Sequence, residues 1–177
     1  MPARQLAAAE AKTKTFTFGV VGTGDPRIDE ESRKRAANIV KTIADLVAAN
    51  VRTPDGKAVE VVWTPLLVDG EPQADTVGRQ FREAGVDAVI CAPDTWAFPQ
   101  LTFISLLAHL PEGIPINITC GNSGPKPGVV YAHALNGALA QTCKLAHLNV
   151  GTWPTRATTR SRPIRPSPRS SIGAMPR

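Results

Sequence analysis

The sequence predicts an α/β chain: a Rossmann-like, doubly wound parallel sheet of five strands with helices on both faces, followed by a disordered basic tail. Three observations carry this. Five short apolar runs rich in β-branched residues alternate with segments of helical period, as parallel sheets with crossover helices require. Gly, Pro and Asp clusters separate the runs. The stretch 92–98, Ala-Pro-Asp-Thr-Trp-Ala-Phe, follows one run directly and sets an acid, a hydroxyl and two aromatics where a strand leaves the sheet. Open α/β sheets bind ligands beyond the carboxyl ends of their strands.

The elements follow in order. Strand one, over 16–21, is aromatic and β-branched up to a glycine turn. Asp29 caps the next helix, and Glu30 and Glu31 suit the positive end of its dipole. Ala36, Ile39, Val40, Ile43, Leu46 and Val47 then recur on one face to about residue 50. Thr53-Pro54-Asp55-Gly56 is a turn. Strand two, 59–63, leads through a longer loop to a helix over 73–84 that points Val77 and Phe81 inward and stops at Gly85. Strand three, 87–91, precedes a helix over 100–109 and a turn at 111–113. Strand four, 114–119, carries a proline for which a central strand has little use. A loop over 120–128, an alanine-rich helix over 129–144 and strand five at 146–150 complete one domain over 15–154.

Composition narrows the class. A chain of 177 residues, 42% hydrophobic and 20% charged, suits one globular domain with a real core. No apolar run reaches the ~20 residues of a membrane span. Residues 1–14 lack an apolar core and cleavage site and read as a flexible leader. Cys91, Cys120 and Cys143 have no paired CxxC spacing, which argues against disulfides and zinc and for a reducing cytoplasm. Of the 20 basic residues, six arginines lie in 155–177, which has no acid, so the rest of the chain carries a formal charge of −1. That Arg/Pro/Ser/Thr tail has too little apolar surface to order itself and is expected to be disordered. Its abrupt onset reads as an abnormal end, such as a shifted reading frame, ahead of a natural tail for phosphates. Nucleic-acid binding would rest on this tail alone.

The motifs divide into chemistry and packing. Gly22-Thr23-Gly24-Asp25-Pro26-Arg27 approaches the dinucleotide fingerprint GxGxxG, but Arg27 replaces the third glycine, so the fingerprint fails. It is then a strand-to-helix turn, with Arg27 a candidate for an anion or hydroxyl. The loop Asn122-Ser123-Gly124-Pro125-Lys126-Pro127-Gly128 precedes a helix and offers backbone amides and Lys126 to an anion, or is simply a rigid connection. Asp94, Thr95, Trp96 and Phe98 suit a polyol, since an aromatic face packs on a sugar's apolar face and acids take its hydroxyls. Phe98 is assigned to packing, and Trp96 serves either purpose. His109, His133 and His147 follow no metal-binding spacing and no carboxylate pair stands out. No complete catalytic constellation is visible, and no residue is assigned as catalytic or metal-binding.

Taken together, residues 22–29, 92–100, 120–128 and 147–154 (His-Leu-Asn-Val-Gly-Thr-Trp-Pro) resemble the N-terminal domain of the L-fucose isomerase family, which includes L-arabinose isomerase. The resemblance covers roughly residues 15–154. It implies aldose–ketose isomerisation with a divalent metal, commonly manganese, held by carboxylates and a histidine in later domains that are absent here. The chain alone would therefore bring no cofactor. The resemblance further implies a homo-oligomer in which this domain covers a neighbour's active site, with Trp96 facing the sugar and Arg27 the nearest match to an arginine that does likewise. The expected function is the N-terminal piece of a monosaccharide isomerase. The alternative is a stand-alone sugar- or anion-binding module without catalysis.

Overall fold

The computed structural model of the protein describes residues 15–120, 126–142 and 146–150. The expected leader and tail lie outside them. Five strands form one parallel sheet: β1 (Thr17–Gly22), β2 (Glu60–Trp63), β3 (Ala88–Ala92), β4 (Ile116–Cys120) and β5 (Ala146–Val150), in the order β2-β1-β3-β4-β5. Every pairing is parallel, with Phe18 opposite Ala88 and Gly22 opposite Ala92 fixing the central register. The order reverses between β1 and β3, because the chain steps outward to β2 and then returns across β1. The loops leaving these two strands therefore lie at the topological switch point, where open α/β sheets bind their ligands.

Helices α1 (Glu30–Asn50), α2 (Glu71–Glu83), α3 (Pro99–Leu107) and α4 (Gly128–Gln141) make the crossovers. The alternation of β3 shows how they divide. Val89 and Cys91 join a core with Val77 and Phe81 of α2, Phe103 and Leu106 of α3, and Leu135 and Leu139 of α4. Ile90 and Ala92 point the other way, onto Ala36, Val40 and Ile43 of α1. A strand buried on both faces must be apolar throughout, and all of β3 is buried. At Gly22 a Cβ would lie 2.7 Å from both Val40 and Leu67, so the first glycine of the loop serves the close seating of α1 on the sheet.

Most boundaries match the expected ones within two residues. Asp29 does cap α1, its carboxylate accepting the Ser32 N–H at 2.7 Å. Gly85 adopts φ 63° just beyond α2. Strand four starts at Ile116 rather than 114, and the Pro115 carbonyl accepts the Val89 N–H before the ladder proper begins. Leu46 was expected to face inward but is 49% exposed. It borders a groove lined by Ile43, Val47, Val51, Ile90 and Asn117, because among the described residues α1 is the one helix on its face of the sheet. No helix among the described residues is long and apolar enough to cross a membrane.

Candidate functional site

Beyond the carboxyl end of β1 the chain is held down by backbone pairing: Thr23 bridges Val68, and the Gly24 N–H donates to the Val68 carbonyl at 3.2 Å. This sets Asp25 into the protein, where it is 4% exposed. Its carboxylate accepts the Arg27 backbone N–H at 2.8 Å, closing a tight Asx-type turn over Pro26. The same carboxylate takes a two-pronged ion pair from the Arg27 side chain, Nε to Oδ1 and Nη2 to Oδ2, each 2.8 Å. Hydrogen bonding from Arg27 holds Asp25 well below the usual carboxylate range, at about 2. The Arg27 side chain is 75% exposed, so a buried acid anchors a guanidinium that faces solvent.

The loop after β3 alternates sharply. Thr95 and Ala97 are wholly buried, whereas Trp96 and Phe98 are 46% and 43% exposed. The chain bends at Thr95 and Trp96, beyond the end of β3, and both rings keep nearly half their surface in solvent. Phe98, assigned to packing from the sequence, packs on one side only and leaves 43% of its surface exposed. Its ring lies 5.9 Å from the Arg27 guanidinium carbon and meets Tyr131 of α4 edge-on, with centroids 6.0 Å apart. Arg27, Phe98 and Tyr131 thus form one chain of contacts from three different parts of the sequence.

Beneath these rings the loop is clamped. Asp94 is buried and ion-paired with Arg35 of α1, Nε to Oδ2 3.3 Å. Burial pushes its carboxyl upward, and Arg35 opposes that. On the other side Gly128, the first residue of α4, meets the Pro93–Asp94 backbone so closely that a Cβ would lie 2.0 Å from the Pro93 carbonyl oxygen. Lys126, at φ 55°, turns its ammonium onto the Asp29 carboxylate and donates to Ser32 Oγ at 3.3 Å. Of the two readings of this loop, anion contact or rigid connection, the Lys126 contacts favour the second, since they tie the third loop to the start of α1. Residues 122–125 of that loop lie outside the described residues.

The site therefore brings Trp96, Phe98 and Arg27 to one end of the sheet and leaves the histidines elsewhere. His109 pairs with Asp75 of α2 at 3.3 Å, and His133 is exposed on α4. His147 lies in β5. Among the described residues no group of three or more His, Cys, Asp or Glu converges, so these residues do not fit a divalent metal centre. Both acids of the site are held in ion pairs with arginines. Such an arrangement can grip a ligand between an aromatic face and N–H donors. Sequence reasoning missed Asp25, Arg35 and Tyr131. The Asp-Pro-Arg spacing is the signal that was available for the first, and the other two are partnered only by the fold.

Comparison with known proteins gives a consistent picture. Residues 15–163 match the family model described as L-fucose isomerase, first N-terminal domain. L-fucose isomerases of Streptococcus pneumoniae strains Hungary19A-6, CGSP14 and R6 are each 28% identical to this chain over 127 residues. Each match covers 70% of this chain but reaches only 21% of the relative's length.

Proposed function

Because the chain belongs to the L-fucose isomerase first N-terminal domain family, we propose that it works as one piece of a longer aldose–ketose isomerase of the L-fucose or L-arabinose type. In this reading the domain supplies a substrate-facing wall in a homo-oligomer in the cytoplasm. Metal and proton chemistry belong to other domains. Trp96 offers its ring to the apolar face of an extended sugar, and Arg27 offers N–H donors to its hydroxyls.

The observation that supports the reading is the joint outward presentation of Trp96 and Arg27 in the loops beyond the sheet's carboxyl end, where Asp25 and Asp94 are paired with arginines. A wall needs shape and donors. A catalytic centre needs a free acid or base, which the described part of this site lacks. The neutralised Arg27 and Lys126 also favour an uncharged ligand over the anion of the alternative, stand-alone module.

The test is an isomerase assay with manganese and L-fucose or L-arabinose, run on this chain alone and on the chain mixed with the remaining domains of a relative. No turnover by the chain alone, with activity appearing in the mixture, is the expected result. Turnover by the chain alone would refute the division of labour.

A further inference from the structure

We infer that Asp25 is the positioning and specificity-determining residue of this wall: it fixes the Arg27 guanidinium above Phe98 and makes the pair electrically neutral, so that Arg27 donates to hydroxyls and does not capture anions. The inference rests on the reading that Arg27 faces a sugar.

Three features lead to it. A guanidinium carries five N–H donors, and the Nε–H and one Nη2–H are spent on Asp25, which leaves three directed away from the carboxylate. The pairing is two-pronged, so it sets the orientation of the remaining donors as well as their place. The Phe98 ring against the guanidinium, itself supported edge-on by Tyr131, limits the motion the ion pair leaves. An arginine whose side chain is 75% exposed would ordinarily sample many rotamers and lose them on binding. Here that loss is largely made before the ligand arrives.

The electrostatic part follows from the neighbours. Arg33 of α1 donates to the Asp25 backbone carbonyl at 3.4 Å and pairs with Asp69 at 2.8 Å. With Asp25 present, two guanidiniums face two carboxylates and the patch is balanced. Without it, Arg33 keeps Asp69 while Arg27 loses its counter-charge, and an exposed arginine with a full fork of donors is a natural phosphate contact. Asp25 thus separates an uncharged sugar from its phosphorylated relatives by cancelling the charge that would hold the phosphate.

The experiment compares the full chain with its Asp25→Asn and Asp25→Ser variants. Both variants keep an oxygen acceptor for the Arg27 backbone turn while removing the charge. Each is titrated with L-fucose and separately with inorganic phosphate, reading the Arg27 Nε–H and Trp96 indole N–H signals by NMR; amide spectra report that the fold is kept. In the unaltered chain L-fucose should shift both signals and phosphate should leave Arg27 unmoved. In both variants the apparent affinity for L-fucose should fall about threefold to tenfold, and phosphate should now shift Arg27. A loss of packing alone would not create phosphate binding. Variants that keep the sugar response and gain no phosphate response would overturn the inference. If the unaltered chain shows no sugar response while the variants gain phosphate binding, the role of Asp25 stands and the sugar-wall reading falls.

Discussion

Two alanine substitutions in the same helix should act with opposite sign. Gly137 lies mid-way along α4, is exposed, and has no atom within 4 Å of the place a Cβ would take. Gly137→Ala should therefore stabilise the fold by about 0.5–1 kcal/mol, the usual gain from restricting an unfolded glycine in a helix. Gly128 opens the same helix, but there the added methyl would lie 2.0 Å from the Pro93 oxygen and 2.6 Å from the Asp94 carbonyl carbon. Real Cβ contacts under 3.0 Å are essentially absent, so helix and loop must separate by about 1 Å. Both atoms are backbone, with no side chain to swing aside. Overpacking of this kind costs about 1–3 kcal/mol and here exceeds the helical gain. Urea unfolding followed by circular dichroism resolves both effects. At a slope of about 2 kcal/mol per molar, Gly128→Ala should lower the midpoint by roughly 1 M, and Gly137→Ala should raise it by a few tenths. A Gly128→Ala protein as stable as the parent would refute the argument that α4 clamps the Pro93–Trp96 loop.

Other expectations follow from the same site. The Thr23 hydroxyl is fully buried with no hydrogen-bond partner among the described residues, so Thr23→Val should be neutral or stabilising by up to about 1 kcal/mol in the same urea assay. A clear loss of stability would mean that the hydroxyl is satisfied. Acid unfolding should carry the mark of Asp25: because its folded value is depressed to about 2, its contribution is present above its ordinary value of 3.8 and is lost as pH falls between them. Asp25→Asn should lose less stability than the parent across that window, and an identical pH profile would count against the Arg27 pairing.

Much of the fold was legible because its signals are local. The run 87–91 announces a buried strand, Asp29 with Glu30 and Glu31 marks a helix start, and Gly85 marks a helix end; each needs only neighbours a few residues away. Leu46 was misplaced because helical period tells which side a residue is on and not whether another element covers that side. The 114–115 segment was misread because a proline beside a strand differs little in sequence from one inside it. Within the site, Trp96 and Arg27 were visible as residue types in loops at strand ends. Their partners were less so. Asp25 was two residues from Arg27 and readable in principle, whereas Tyr131 reaches Phe98 and Arg35 reaches Asp94 only through the strand order. A cluster assembled from α1, α4 and two loops has no period to give it away.

The central claim, that Trp96 forms a wall for an uncharged sugar, is tested most directly by saturation-transfer NMR of L-fucose in the presence of this chain. The account predicts transfer concentrated on the carbon-bound protons of one face of the sugar. In the Trp96→Ala protein the transfer should be lost while its stability to urea stays within about 0.5 kcal/mol of the parent, as befits a half-exposed ring. Transfer that persists unchanged in Trp96→Ala, or none from the parent chain, would contradict it.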